Sequence, residues 1–109
     1  MKYRIRTIAR FDKQVKTLAK KYPSIKDDLV QVSEQIAVNP NCGTLIAHDV
    51  YKIRMSIKSK GRGKSGGARI IYFAQIAERE EVYLLRIYDK SEIATISDEE
   101  IRVALDDIP

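Results

Sequence analysis

The spacing of apolar residues switches near the middle of this 109-residue chain, and the switch constrains the fold. Between residues 11 and 36 apolar side chains recur every three or four positions, as in amphipathic helices. From Val50 onward they alternate with polar side chains, as in strands that bury one face. A chain of this length forms one domain, so both patterns share a core. The sequence therefore predicts a single α+β domain over residues 1–109.

Turn residues divide this domain into elements. Pro23 separates two helical segments, and an Asn-Pro turn at residues 39–43 ends the second. The elements predicted in order are a strand at 2–9, helices at 11–22 and 25–36, strands at 50–58, 68–75 and 82–88, and a helix opened by the capping box at 97–100. Short loops join the later strands, so we expect a small, antiparallel-rich sheet. The order is β-α-α-β-β-β-α, with an N-terminal helical hairpin and a C-terminal helix.

Positive charge is concentrated in one segment. Residues 52–69 contain seven cations and no acid, whereas the rest of the chain has 13 cations and 15 acids. A local excess of one sign is typical of a surface that binds a polyanion, although charge runs also occur on solvated loops. We therefore predict a nucleic-acid-binding segment. Its candidate RNA-binding residues, in and beside a glycine-rich connector, are Lys58, Lys60, Arg62 and Lys64.

The residues of common enzyme sites are scarce. His48 is the sole histidine, and no Cys/His or acidic cluster has the spacing of metal ligands, so we expect no metal and no cofactor. The glycine-rich segment lacks the spacing of a phosphate-binding loop and leads into a strand. Cys42 is the sole cysteine, which fits a reducing compartment. No apolar run approaches the roughly 20 residues that span a bilayer. We expect a cytoplasmic protein without a membrane partner.

Cations on strands offer a different chemistry. Lys52 and Arg54 are two positions apart, so both project from one face of a strand. Arg69 begins the next predicted strand, and Tyr88 and Lys90 stand at the end of the last one. Such a group can cleave RNA by attack of a 2′-hydroxyl on the adjacent phosphate, because fixed cations stabilise the charge that develops on the phosphoryl oxygens. Surrounding positive charge favours a neutral lysine, which makes Lys52 a candidate general base.

Three segments carry a resemblance to a known family. VYKIRMSIKSKGRGKSGGARIIYF, VYLLRIYDKSEI and the upstream LAKKYPSIKDDLVQVSEQIAVNPNCG resemble the RelE/HigB branch of the RelE/ParE superfamily, the toxins of type II toxin–antitoxin modules. The resemblance covers nearly the whole chain. It implies a ribosome-dependent endoribonuclease that cuts messenger RNA in the decoding site and inhibits translation. It also implies a cognate antitoxin, often with a helix-turn-helix DNA-binding domain.

The resemblance also implies roles for individual residues. Lys52 matches a lysine implicated in proton abstraction, and Arg69 matches an arginine that stabilises the scissile phosphate. Lys90 lies near a cationic position that assists protonation of the leaving group. Arg54 stands where RelE has a second lysine, and its guanidinium is a poorer proton acceptor. Tyr88 is a local substitute for the C-terminal catalytic tyrosine of RelE, or a stacking platform for a base, or a half-buried strand residue.

Ser91 stands where RelE has an arginine. Two other functions are alternatives to RNA cleavage. One is a ParE-like toxin that poisons DNA gyrase. The other is a catalytically weakened module that binds RNA or an antitoxin. The combination of Lys52, Arg54 and Arg69 favours RNA cleavage over the poisoning of gyrase.

Overall fold

A five-stranded mixed sheet organises the chain in the computed structural model, which describes residues 2–61, 63, 66–75 and 79–109. The strands are β1 (Arg4–Thr7), β2 (Thr44–Ala47), β3 (Val50–Met55), β4 (Ala68–Gln75) and β5 (Glu81–Asp89). The helices are α1 (Ala9–Lys21), α2 (Ile25–Val38) and α3 (Asp98–Asp106), with a short 3₁₀ turn at Lys58–Lys60. The predicted α+β class, helical hairpin and C-terminal helix are confirmed.

Strand order in the sheet is β1-β5-β4-β3-β2. The strands β3, β4 and β5 form the predicted antiparallel meander, whereas β1 pairs with β5 in parallel. The strand β5 lies between β4 and β1, and all of its residues except Arg86 are buried. Its central position and its burial explain why its sequence, EVYLLRIYD, is so apolar.

The helical hairpin packs on one face of the sheet. The hydroxyl of Tyr22, at the end of α1, donates a 2.6 Å hydrogen bond to the carboxylate of Asp89 on β5. The hydroxyl of Tyr72 on β4 donates to the carbonyl oxygen of Pro40, just after α2, at 2.7 Å. The buried core between these elements includes Phe11, Ile25, Ile36, Met55, Ile70 and Tyr72. Their burial accounts for the three- and four-residue spacing of the helices.

The last helix begins as the capping box predicts, because the Ser97 hydroxyl accepts the backbone N–H of Glu100 at 3.2 Å. Glu100 in turn pairs with Arg86 of β5 at 2.5 Å. A partly exposed ion pair therefore ties α3 to the sheet. No helix in the described part of the chain has the length and apolar character needed to cross a membrane.

Candidate nucleic-acid interface

Three of the predicted catalytic residues lie side by side across the sheet. In the ladder between β3 and β4, Arg54 is directly opposite Arg69, and in the ladder between β4 and β5, Arg69 is directly opposite Tyr88. Directly opposed residues project from the same face. The antiparallel register therefore places Arg54, Arg69 and Tyr88 in one row.

A second row lies one repeat along the same face. Lys52 is opposite Ile71, and Ile71 is opposite Arg86. Because side chains two positions apart share a face, this row adjoins the first. We call the surface formed by Lys52, Arg54, Arg69, Arg86 and Tyr88 the basic face. It lies opposite the face that Tyr72 and Asp89 present to the helical hairpin.

Residues of the basic face differ in their exposure. Arg54 is exposed and Lys52 is partly exposed, whereas Arg69 is only 7% exposed and Tyr88 only 3%. Arg69 donates a hydrogen bond from Nη1 to the carbonyl oxygen of Ala68 at 3.1 Å. In this conformation RNA would first meet Lys52 and Arg54, and a base could not stack on the Tyr88 ring.

The environment of Tyr88 keeps its hydroxyl protonated. Burial raises the pKa of Tyr88 above its usual value, and the nearby positive charges of Arg69 and Arg86 oppose this only in part. A protonated hydroxyl beside two guanidinium groups can donate a hydrogen bond or a proton to an anion. This chemistry fits a phosphate group better than it fits a nucleobase.

Lys90 lies at the same end of the sheet as Arg69 and Tyr88. It directly follows Asp89, which is opposite Ala68, and its backbone N–H donates to the carbonyl oxygen of Gly67 at 3.1 Å. Its ammonium donates to the carbonyl oxygen of Ala94 at 2.8 Å. Lys90 therefore borders the basic face, with its charge held by the turn that leads to α3.

Lys60, a predicted RNA-binding residue, has its ammonium in a buried ion pair. Its Nζ lies 2.7 Å from Oδ1 of Asp89, and the two side chains are 12% and 0% exposed. It also donates to the Ser91 hydroxyl at 3.0 Å and lies 5.4 Å from the centre of the Tyr22 ring. Lys60 therefore fastens the 3₁₀ turn that follows β3 to the end of β5, and we propose a structural role for it.

The buried carboxylate of Asp89 is stabilised by its donors. Burial alone would raise the pKa of Asp89, but hydrogen bonds from Lys60, Tyr22 and Ser91 outweigh this and hold it well below its usual value. Ser91 thus contributes to this cluster.

The other predicted RNA-binding residues are less constrained. Lys58 is exposed, and its backbone N–H donates to the Asp28 carboxylate at 3.1 Å. Arg62 and Lys64 lie outside the described residues. The 3₁₀ turn is therefore held at the start of α2, since Ser59 also donates its backbone N–H to the Ser24 hydroxyl at 2.9 Å.

Arg86 belongs to the basic face, although it was not among the site residues predicted from the sequence. Its Nε is buried and has no hydrogen-bond partner among the described residues, while Nη1 pairs with Glu100. The signal was present in the sequence, because Arg86 precedes Tyr88 by two positions and must share its face. In the described part of the chain, no three His, Cys, Asp or Glu side chains lie close enough to hold a metal ion.

Comparison with solved structures identifies the fold. A double arginine mutant of the E. coli toxin RelE in the free state superposes with a TM-score of 0.65 and 20% sequence identity, and the match covers 100% of both chains. A crystal structure of isolated E. coli RelE superposes with a TM-score of 0.55 and 19% identity over 97% of this chain and 99% of that one. The chain has the RelE fold. No family model matches the sequence.

Within this RelE fold, the structure brings together most of the residues that the sequence analysis selected. Lys52, Arg54, Arg69 and Tyr88 share the basic face, and Lys90 borders it. Their roles remain predictions, because the likeness to RelE at this level of identity establishes the fold alone.

Proposed function

We propose that the protein is a RelE/HigB-type toxin of a type II toxin–antitoxin module, a metal-independent endoribonuclease that cuts messenger RNA on the ribosome. The observation that carries the proposal is the row of Arg54, Arg69 and Tyr88 beside Lys52 on a RelE fold. Guanidinium groups directly opposite each other on one face give that face a positive potential, which attracts an anion.

The proposed reaction begins when Lys52 accepts a proton from a ribose 2′-hydroxyl. The 2′-oxygen forms a bond to the adjacent phosphorus, and the bond to the 5′-oxygen breaks, which leaves a 2′,3′-cyclic phosphate. Arg54 and Arg69 stabilise the negative charge on the phosphoryl oxygens as it develops. Lys90 or the protonated Tyr88 hydroxyl supplies the proton that the departing 5′-oxygen requires. No step requires a metal ion or cofactor.

The proposal includes the partners and location of such a toxin. Its substrate is messenger RNA in the ribosomal decoding site, and its inhibitor is a cognate antitoxin, expected to carry a helix-turn-helix domain. The site of action is then the cytoplasm, with no membrane partner. An adjacent reading frame that encodes a small helix-turn-helix protein would agree with this proposal.

A reconstituted translation reaction tests the proposal. We expect cuts in the messenger at codons held in the decoding site, and a fall of about 100- to 1000-fold in cleavage rate for Arg54→Gln, as for the loss of one charge-stabilising donor. Arg54 is the informative position because it is exposed, so its replacement leaves the core intact. Lys16→Gln, an exposed change on α1 outside the pocket that Lys13 shares with Arg86 and Tyr88, is the matched control and should cut at the normal rate. A messenger left whole by the unchanged protein would contradict the proposal.

Burial of Arg69 and Tyr88 favours a second candidate, a catalytically weakened module that binds RNA or an antitoxin. This candidate predicts that growth arrest persists when Lys52 and Arg54 are both replaced by Gln. Inhibition of DNA supercoiling by the purified protein would instead indicate a ParE-like toxin.

A further inference from the structure

A groove runs between α2 and the open edge of β3. The strand β2 pairs with β3 no further than Lys52, so among the described strands none covers the edge of β3 beyond that residue. Two cavities, of about 260 and 380 Å³, lie along this edge. Gln35 and Arg54 line both of them, which makes the cavities adjoining parts of one groove.

The two walls of the groove have different chemistry. The strand wall carries the cations Lys52 and Arg54, with Lys58 at one end. The helix wall carries the amides of Gln31 and Gln35, which are four positions apart and so project from the same face of α2. It also includes the buried carboxylate of Asp28, which accepts the backbone N–H of Lys58 at 3.1 Å. Both glutamines are exposed. A molecule that fits this groove has negative charges along one side and hydrogen-bonding edges along the other.

We infer that the groove binds unpaired nucleotides of RNA next to the cleaved phosphate, and that Gln31 and Gln35 read their base edges. This inference rests on the proposed function for the identity of the cleaved strand. Lys52 and Arg54 belong to both the basic face and the groove, so a phosphate held by them places the neighbouring nucleotide against α2. Bases of single-stranded RNA have free Watson–Crick and Hoogsteen edges.

Adenine is the base that a glutamine amide matches best. The amide offers one acceptor and one donor side by side, and these pair with N6 and N7 of adenine. One such bidentate pair discriminates between bases by about 5- to 150-fold, the factor that corresponds to roughly 1–3 kcal/mol. The groove therefore predicts a preference for adenine beside the cut. This preference has a source separate from the cations, which bind every sequence alike.

Binding of short single-stranded RNAs tests the inference without requiring cleavage. We would measure fluorescence anisotropy with oligo(A), oligo(C) and oligo(U) for the full-length protein and for the Gln31→Ala/Gln35→Ala variant. The unchanged protein should bind oligo(A) at least about fivefold more tightly than the other two. The double variant should bind all three with similar affinity, close to that of the unchanged protein for oligo(C) and oligo(U). Val38→Ala, an exposed change on the same helix, should retain the preference.

Two outcomes would overturn the inference. One is that the double variant retains the same order of affinities as the unchanged protein, which would leave the open edge of β3 to another occupant such as an extended peptide. The other is that the unchanged protein binds the three RNAs equally. A preference for oligo(A) that depends on the glutamines would stand even if reconstituted translation shows no cleavage, so failure of the proposed function remains distinguishable.

Discussion

Lys60 and Asp89 place opposite charges in a part of the molecule that water barely reaches. The pair is one of several contacts to this carboxylate, since Tyr22 and Ser91 also donate to it. Removing a single partner from a buried pair leaves a charge that neither water nor protein neutralises. The stability of the fold therefore depends on a lysine whose sequence context, within a run of seven cations, indicates only a role in binding.

The change Lys60→Met tests this structural role. It retains an apolar side chain of similar length but removes the ammonium, so we expect the free energy of unfolding to fall by about 3 kcal/mol. Lys58→Met is the matched control, because Lys58 is exposed and its loss should change stability by no more than about 0.5 kcal/mol. Urea unfolding followed by circular dichroism measures both. Equal stability of the two variants would contradict the structural role and favour the RNA-binding role that the sequence predicts for Lys60.

The carboxylate of Asp89 should make the stability of the fold depend on pH in the acid range. Its pKa is lower in the folded protein than the value of about 3.9 in an unfolded chain, so the carboxylate form stabilises the fold. The stability that this carboxylate contributes is complete above the pKa that Asp89 has in the unfolded chain. It is lost as the pH falls through the pKa of Asp89 in the folded protein. The advantage of the unchanged protein over Asp89→Asn should therefore be constant between about pH 5 and 8, and shrink below about pH 4. Urea unfolding measures this difference in stability at each pH. A difference that varied near neutral pH would contradict the lowered pKa of Asp89.

The elements with strong periodicity were predictable from the sequence. The helices α1 and α2, the meander strands and the capping box of α3 follow from local apolar spacing and turn residues. The strand β2 was missed because all four of its residues are exposed and it lies at the edge of the sheet, so it has no alternation of buried and exposed positions. The parallel pairing of β1 with β5 was also not predictable, because it joins segments more than 70 residues apart.

Gly67 controls how the chain re-enters the sheet at β4. A Cβ atom at this position would lie 2.1 Å from the carbonyl oxygen of Met55, so a larger residue must displace the backbone where β3 and β4 pair. We expect Gly67→Ala to lower the free energy of unfolding by about 2–3 kcal/mol, as for overpacking.

Gly61→Ala is the control for that change. Gly61 has a positive φ of +72° but no neighbour within 4 Å of a Cβ, so the expected cost is about 1–2 kcal/mol from backbone conformation alone. In hydrogen-exchange measurements Gly67→Ala should also reduce protection of the β3–β4 amides, whereas Gly61→Ala should not. Equal protection in both variants would show that the sheet accommodates the extra atom.

At the scale of the whole molecule, the candidate site arises from strand register. Each cation of the basic face was visible in the sequence, and the residue types alone predicted a polyanion partner. The placement of Arg54 opposite Arg69, and of Arg69 opposite Tyr88, depends on how three strands align. No local pattern specifies that alignment, because the hydrophobic alternation leaves registers that differ by two residues equally allowed. Burial of Arg69 and Tyr88 likewise depends on packing between distant segments.

The uneven distribution of charge over the molecule should determine how strongly salt weakens RNA binding. Each phosphate contact with single-stranded RNA contributes about 0.7 to the slope of log K against log salt. Replacing Lys52, Arg54 and Lys58 by Gln should therefore reduce this slope by about 2. Replacing Lys16, Lys20 and Lys26 by Gln removes the same net charge from exposed positions that line neither the groove nor the pocket beside Arg86 and Tyr88. If RNA binds through contacts with Lys52, Arg54 and Lys58, the second variant should keep nearly the full slope. Equal slopes in titrations of both variants would mean that RNA responds only to net charge.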